Sequence, residues 1–246
     1  MFSKKILSFL ILILSFCYAE TLADAKRYID EKQYQKAFDI YQEYCDKNNA
    51  PACLALGILY SDGKGVRQDY KIAADYLERA CEGRQAVGCR LLGAIYYEGK
   101  NGIKKNAKLG AELYEKACNG KDAVSCLTAG ILYHDGKRGV TKNEHKGITL
   151  YEKACEGNIP FGCYLIGMVY YEGKNVKQDN EKAISLLKKA CDGSNSFACL
   201  ALGDIYAKGK DVKQNLLTAK EYYGLVCDIG EQEGCDKYRE LNEKGY

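Results

Sequence analysis

Twelve of the thirteen cysteines in this chain of 246 residues fall into six pairs of equal spacing: Cys45 and Cys53, Cys81 and Cys89, Cys118 and Cys126, Cys155 and Cys163, Cys191 and Cys199, and Cys227 and Cys235. Thiols placed so regularly can form disulfides, hold a metal ion or exchange electrons, and spacing weighs the three. Zinc sites draw on cysteines two to four residues apart, often with histidine. Here the pairs are wider, and only His134 and His145 could assist. Redox-active thiols typically have two residues between them and do not recur six times along a chain. An even number of thiols suits a disulfide framework and an oxidising compartment.

Other chemistry-bearing residues are sparse. Ser61 with Lys64, and Ser185 with Lys188, match the Ser-x-x-Lys spacing of penicillin-recognising serine enzymes, where the lysine activates the serine. At the positions corresponding to Ser61 beside the other cysteine pairs stand Tyr97, His134, Tyr171 and Ala207, and those corresponding to Ser185 include Asp75, Glu112 and Thr149. The supporting Ser-Asp-Asn and Lys-Thr-Gly motifs are absent. His134 and His145 could serve as bases, but they flank one loop with no nucleophile or orienting carboxylate in view and read as surface residues. No glycine-rich phosphate loop joins a strand to a helix, and no cofactor is implied. The catalytic residue, if there is one, is unknown at this stage.

The elements that position the cysteines are a repeat. First members of successive pairs lie 36 or 37 residues apart. After each second cysteine comes the same run: Leu56, Gly57 and Tyr60; Leu92, Gly93 and Tyr96; Ala129, Gly130 and Tyr133; Ile166, Gly167 and Tyr170; Leu202, Gly203 and Tyr206. With the cysteine these occupy i, i+3, i+4 and i+7, one face of a helix. A glycine kept inside a helix costs about 1 kcal/mol relative to alanine, so close approach of a neighbouring helix is expected to compensate. The helix should end at Gly63, Gly99, Gly136, Gly173 and Gly209. Asp69, Asn106, Asn143, Asp179 and Asn215 should cap a second helix. Inside that helix the residue eight before the cysteine is small (Ala37, Ala73, Gly110, Gly147, Ala183, Ala219), and three further on it is large (Ile40, Tyr76, Leu113, Leu150, Leu186, Tyr222). Small against large at fixed register predicts an all-α solenoid of stacked helix hairpins.

Over nearly the whole chain beyond residue 19 these residues resemble Sel-one-like repeats, the longer-looped relatives of tetratricopeptide repeats; the run CLALGILYSDGKGVRQDYKIAADYLERACEG carries the likeness. With its paired cysteines the chain more narrowly resembles the secreted Hcp-type cysteine-rich proteins. The resemblance implies a right-handed αα-superhelix. The expected units are a tetratricopeptide-like hairpin at 20–52, five repeats at 53–88, 89–125, 126–162, 163–198 and 199–234, and a capping helix at 235–246. The first unit departs from the pattern, since Tyr28 and Ala37 are closer than Tyr60 and Ala73, and the last replaces the packing glycine and tyrosine by Arg239 and Asn242. The resemblance also implies penicillin binding and weak hydrolysis of the β-lactam amide, an activity no motif in the chain carries. The alternative is a non-enzymatic interaction scaffold.

In this frame one helix ends near the first cysteine of a pair and the next begins near the second. Six local disulfides in sequential order are therefore expected. On a chain-entropy estimate, closing a loop of nine residues stabilises by about 2.6 kcal/mol. Residues 1–19 carry Lys4 and Lys5, an apolar run from Ile6 to Phe16, and Ala19 as a small residue at a cleavage point, which reads as a signal peptide. A lipid on Cys17 is the alternative, but Phe16 is bulky where such signals place a small residue. Secreted or periplasmic localisation is expected, without stable membrane insertion after cleavage.

Loss of the two lysines leaves the 36 basic and 33 acidic residues close to balance, which argues against nucleic-acid binding. At 47% hydrophobic and 28% charged residues the composition is that of a folded protein rather than a disordered one.

The tetratricopeptide relationship implies that the concave face carries the residue after the second cysteine and those four and seven further on. These are Leu54, Ile58 and Ser61; Arg90, Ala94 and Tyr97; Leu127, Ile131 and His134; Tyr164, Met168 and Tyr171; and Leu200, Asp204 and Ala207. They vary while their neighbours repeat, and the stripe is largely apolar and aromatic. It either packs on the adjacent helix or meets a partner: a peptide, a protein segment, or a β-lactam or cell-wall precursor.

Overall fold

A computed structural model describes residues 20–210 and 212–246. The signal-peptide reading, with Cys17, lies outside the described residues. Thirteen α-helices and no strand are present among the described residues. The first hairpin is α1 (Leu22–Asp30) and α2 (Tyr34–Asp46). Five longer-looped hairpins follow: α3 (Ala50–Asp62) with α4 (Tyr70–Glu82), α5 (Ala86–Glu98) with α6 (Ala107–Asn119), α7 (Ala123–Asp135) with α8 (Glu144–Glu156), α9 (Pro160–Glu172) with α10 (Asn180–Asp192), and α11 (Ser196–Lys208) with α12 (Leu216–Asp228). The last helix is α13 (Gln232–Glu243). Each helix packs mainly on its neighbours in sequence, so the chain is a solenoid.

Local chemistry sets the helix ends. Asp69, Asn106, Asn143, Asp179 and Asn215 each accept a hydrogen bond from a first-turn amide of α4, α6, α8, α10 and α12. Gly63, Gly99, Gly136, Gly173 and Gly209 close the preceding helices with φ between 62° and 74°, the left-handed region where a side chain is strained.

The interlock within a hairpin is tight. A methyl group placed at Gly57 would lie 2.6 Å from Leu77 Cγ, and one at Gly203 would lie 2.4 Å from Tyr223 Cε1. In the reverse direction, a methyl at Gly147 would meet His134 Cβ at 2.8 Å. The glycines of the first helices meet Leu77, Tyr151, Leu187 and Tyr223, four residues after the small position and one beyond the large residues Tyr76, Leu150, Leu186 and Tyr222 expected from the sequence, and this contact keeps the register of the two helices from sliding.

The first helices open three residues before the second cysteine, ahead of the boundaries drawn at the cysteines themselves. Each bridge consequently joins the last turn of one helix to the first turn of the next, with Cα–Cα distances of 4.4 to 4.9 Å across all six. The connecting turn places its third residue after the cysteine at positive φ: Asn48, Arg84, Lys121, Asn158, Ser194 and Gly230. The glycine just before it, where present, has an ordinary φ and is needed for proximity: a methyl at Gly83 would sit 2.2 Å from Ala50 Cβ. Basic residues two before the cysteine tie successive repeats together, Arg79 donating to the Cys45 carbonyl at 2.6 Å and Lys189 to that of Cys155 at 2.8 Å. Those carbonyls lie at the negative ends of α2 and α8, where a cation is favoured.

Two substitutions separate these effects. Gly83→Ala should destabilise by about 1–3 kcal/mol because the added methyl overpacks the junction. Ser125→Ala should stabilise by about 1 kcal/mol, because the fully buried Ser125 hydroxyl has no hydrogen-bond partner. Denaturant melts of oxidised protein check both. Five bridges are buried and Cys227–Cys235 is half-exposed. Limiting reductant followed by alkylation and mass spectrometry should therefore label Cys227 and Cys235 first, and full reduction should lower the helical melting temperature.

Candidate functional site

All fifteen residues of the expected stripe are half-buried, neither sealed in the core nor fully in solvent. Their helical neighbours Leu56, Leu92, Ile166 and Leu202 are buried. The stripe residues nevertheless differ in what they can offer. Ser61 donates its hydroxyl to the Gly57 carbonyl at 2.8 Å, which occupies its proton within its own helix. Arg90 Nε reaches Asp122 at 3.1 Å, and Asp122 in turn caps α7 through the Ser125 amide at 2.8 Å. The Arg138 guanidinium stands 5.2 Å from the Tyr97 ring centroid. These contacts give Ser61 and Arg90 structural roles that residue type alone did not suggest.

Asp204 departs furthest from a free groove position. Its carboxylate accepts from Lys237 Nζ and from the Tyr223 hydroxyl, both at 2.7 Å, and Lys208 approaches at 4.0 Å. Lys237 also pairs with Glu233 at 3.1 Å, so the network docks α13 onto α11 and α12. Burial alone would raise the Asp204 pKa, but the hydrogen bonds from Lys237 and Tyr223 outweigh it and hold the carboxyl below its usual range. Tyr223 moves the other way, pushed up by burial and by its bond to the Asp204 carboxylate.

Two clefts open along the stripe. The first, of about 410 Å³, lies between α7 and α9 beside α8. Ile131, Tyr151, Phe161, Leu165, Met168 and Val169 give it an apolar lining, and His134, Asp135, Glu144 and Glu172 add polar groups. The second, of about 320 Å³, lies between α9 and α11 and is bounded at its far side by Glu233 of α13. Tyr164, Tyr171, Phe197 and Leu200 line it, and Met168 borders both clefts. Phe161, Tyr164 and Phe197 form a cluster with ring centroids 5.7 to 6.3 Å apart, and Phe197 is 57% exposed.

Phe161, Leu165 and Phe197 were absent from the expected stripe. Phe161 and Phe197 stand two residues before the second cysteine, where the other repeats hold Pro51, Val87 and Val124. That slot is three residues before the first stripe position, so helical periodicity extends the same face by one turn. Variation there, from proline to valine to phenylalanine, was the available signal.

The carboxylates at the first cleft are held by flexible surface cations. Lys137 bonds Asp135 at 2.9 Å, Lys142 pairs with Glu144, and Lys174 pairs with Glu172. Asp135 is consequently held low, chiefly by the Lys137 hydrogen bond. Among the described residues no cluster of three or more His, Cys, Asp or Glu side chains could hold a metal ion.

The Asp204 network makes a pH prediction. A carboxylate depressed on folding contributes stability that is present above its unfolded pKa of 3.8 and lost as the pH falls through the lower folded value. Asp204→Asn should lower the melting temperature at neutral pH by roughly 2–4 °C and flatten the acid limb of stability below pH 3.8. Thermal melts at a series of pH values read both effects.

Comparison with known proteins gives these features a family context. The Sel1 repeat family matches residues 50–84, 86–122, 124–159, 160–195 and 196–230. A protective antigen of uropathogenic Escherichia coli displaying an SLR fold superposes with a TM-score of 0.83 at 26% identity, over 92% of this chain and 49% of the antigen. A Sel1 repeat protein from Oxalobacter formigenes gives 0.71 at 26% identity, over 87% and 84% of the two chains. Helicobacter pylori cysteine rich protein B is 31% identical, over 59% of this chain and 97% of that protein, with a TM-score of 0.41. The chain spans about half the length of the antigen, and half that of a curated Haemophilus influenzae protein that is 69% identical over 26 residues, or 11% of this chain.

Proposed function

The chain belongs to the Sel1 repeat family, and from that premise we propose that it is an exported interaction scaffold whose ligand, a peptide or flexible protein segment, lies across α7, α9 and α11. The observation that carries this reading is the row of half-exposed apolar and aromatic side chains along two adjoining clefts, on helices whose other faces are buried. Exposed aromatic surface of this kind is the usual currency of protein recognition. The register of the row is held by the glycine contacts and the bridges, so little ordering is left for binding to impose.

Export is supported by the six disulfides, which persist in oxidising compartments. No helix among the described residues is long and apolar enough to cross a membrane. The likeness to a protective antigen points the same way. Binding is favoured over β-lactam hydrolysis because the Ser61 hydroxyl is committed to a main-chain carbonyl, while Ser185 lies exposed on α10. Neither serine therefore has the activated, cleft-facing setting that acylation requires.

Panning a displayed peptide library against the oxidised protein tests the reading. Enriched peptides should lose binding to a Phe161→Ala, Tyr164→Ala, Phe197→Ala triple variant whose circular dichroism is unchanged. Enrichment that survives the triple variant would place recognition elsewhere, and failure to enrich any peptide would remove the proposal. Nitrocefin should remain unhydrolysed by protein purified from a host without its own β-lactamase.

A further inference from the structure

The two edges of the solenoid carry opposite charge. Each hairpin runs up one helix and down the next, so the long loops gather on one edge and the disulfide turns on the other, about 20 Å away across helices of thirteen residues. On the loop edge, the acids that end the first helices are met within the loop itself. Lys64 bonds Asp62 at 2.8 Å, Lys137 bonds Asp135 at 2.9 Å, and Lys100 and Lys174 pair with Glu98 and Glu172. The loops then add exposed cations with no ion-pair partner among the described residues: Arg67, Lys104, Lys105 and Lys177. An apolar residue precedes this slot, with Ile103, Val176 and Val212 packed on the core ahead of Lys104, Lys177 and Lys213, so an anchored backbone holds the cation outward.

The turn edge has the reverse sign. Helices α4, α8, α10 and α12 end on Glu82, Glu156, Asp192 and Asp228, all exposed and without an ion-pair partner among the described residues. A carboxylate on the last residue of a helix faces the carbonyl end of the macrodipole, where a cation would be favoured. Helix stability therefore selects against these acids, and their recurrence just after the first cysteine of a pair needs another cause.

A partner for such edges must repeat its own charges at the same interval. The chain itself does, since loops and turns both recur once per repeat of 36 or 37 residues. A copy laid alongside in the same orientation brings the cations of one loop edge onto the acids of the next turn edge. Contact between two like edges would set charge against like charge, which disfavours a two-fold arrangement. With 36 basic and 33 acidic residues in all, little net repulsion keeps copies apart. Each exposed pair is weak, but several engage together.

We infer that the protein associates with itself edge to edge, the long-loop edge of one copy on the disulfide-turn edge of the next. This surface is separate from the groove, and neither reading depends on the other.

Sedimentation velocity across a concentration series tests this. The oxidised chain should sediment faster with rising concentration at about 10 mM salt, where the Debye length is about 30 Å, and as a monomer at about 1 M, where it is about 3 Å. An Arg67→Glu, Lys104→Glu, Lys177→Glu variant and a Glu82→Lys, Glu156→Lys, Asp192→Lys variant should each lose at least about tenfold in association constant at low salt. Mixing the two should restore association. A Lys26→Glu, Lys116→Glu, Lys188→Glu variant makes the same change in net charge as the first, on exposed helix faces, and should still self-associate. The acid-to-lysine variant should also melt at a higher temperature than the natural chain, because its lysines suit the helix ends. A monomer at low salt, association that persists at high salt, or an equal loss in the helix-face variant overturns the inference. So does a lower melting temperature for the acid-to-lysine variant, which would give those acids a structural role. Heparin binding by a chain that stays monomeric would assign the loop edge to a polyanion and overturn the inference as well.

Discussion

Close approach of helix backbones at the glycine positions is the constraint on which the rest of this structure depends. At Gly57 and Gly203 the partner side chains Leu77 and Tyr223 stand where a Cβ would be. Such contact fixes rotation as well as distance, because only one face of each helix is smooth enough to accept the neighbour. Once the cysteine, leucine and glycine face is committed inward, the flank about 100° round each first helix is committed to the cleft side. Recognition surface thus arises along the half-buried flank of the packing face.

The junctions between hairpins solve a separate problem. A one-dimensional stack has only nearest-neighbour contacts, so fraying at any junction interrupts the whole. Here each junction combines a disulfide, a left-handed turn residue and, in several repeats, a basic side chain reaching back to the preceding helix end. Glycine's role at Cys81 plus two is space rather than dihedral freedom, since Gly83 has negative φ and Arg84 takes the strained position. The far end is closed differently, by the Asp204, Tyr223 and Lys237 network that docks α13. There a residue from a variable slot serves the fold.

Much of this was legible in the sequence, and the parts that were not share a cause. Helix ends, caps and the small positions follow from local rules acting within one turn, so Gly63, Asp69 and Ala73 could be placed from their types and spacing, whereas the large residue that meets the glycine lies one beyond the position read from the sequence, Leu77 rather than Tyr76. The helices open three residues before the cysteines that mark the units, because the cysteine has no capping chemistry; Asn49, Asp122 and Asn195 are the caps. The structural contacts of Asp204 and Arg90 were not legible because their ion partners Lys237 and Asp122 are 33 and 32 residues away, beyond the reach of any local pattern. Phe161 and Phe197 escaped for the opposite reason: the analogy with tetratricopeptide repeats began the face one turn too late.

Ligand contact falls mainly on the first helices, over two clefts that meet at Met168. Amide and methyl NMR titration of the oxidised, isotopically labelled chain with a library-selected peptide tests that claim most directly. Shifts should concentrate at Ile131, Phe161, Tyr164, Met168, Phe197 and Leu200, leaving Thr149 and Ser185 on the second helices unmoved. Shifts centred on α8 and α10 with Met168 and Phe197 silent would contradict it.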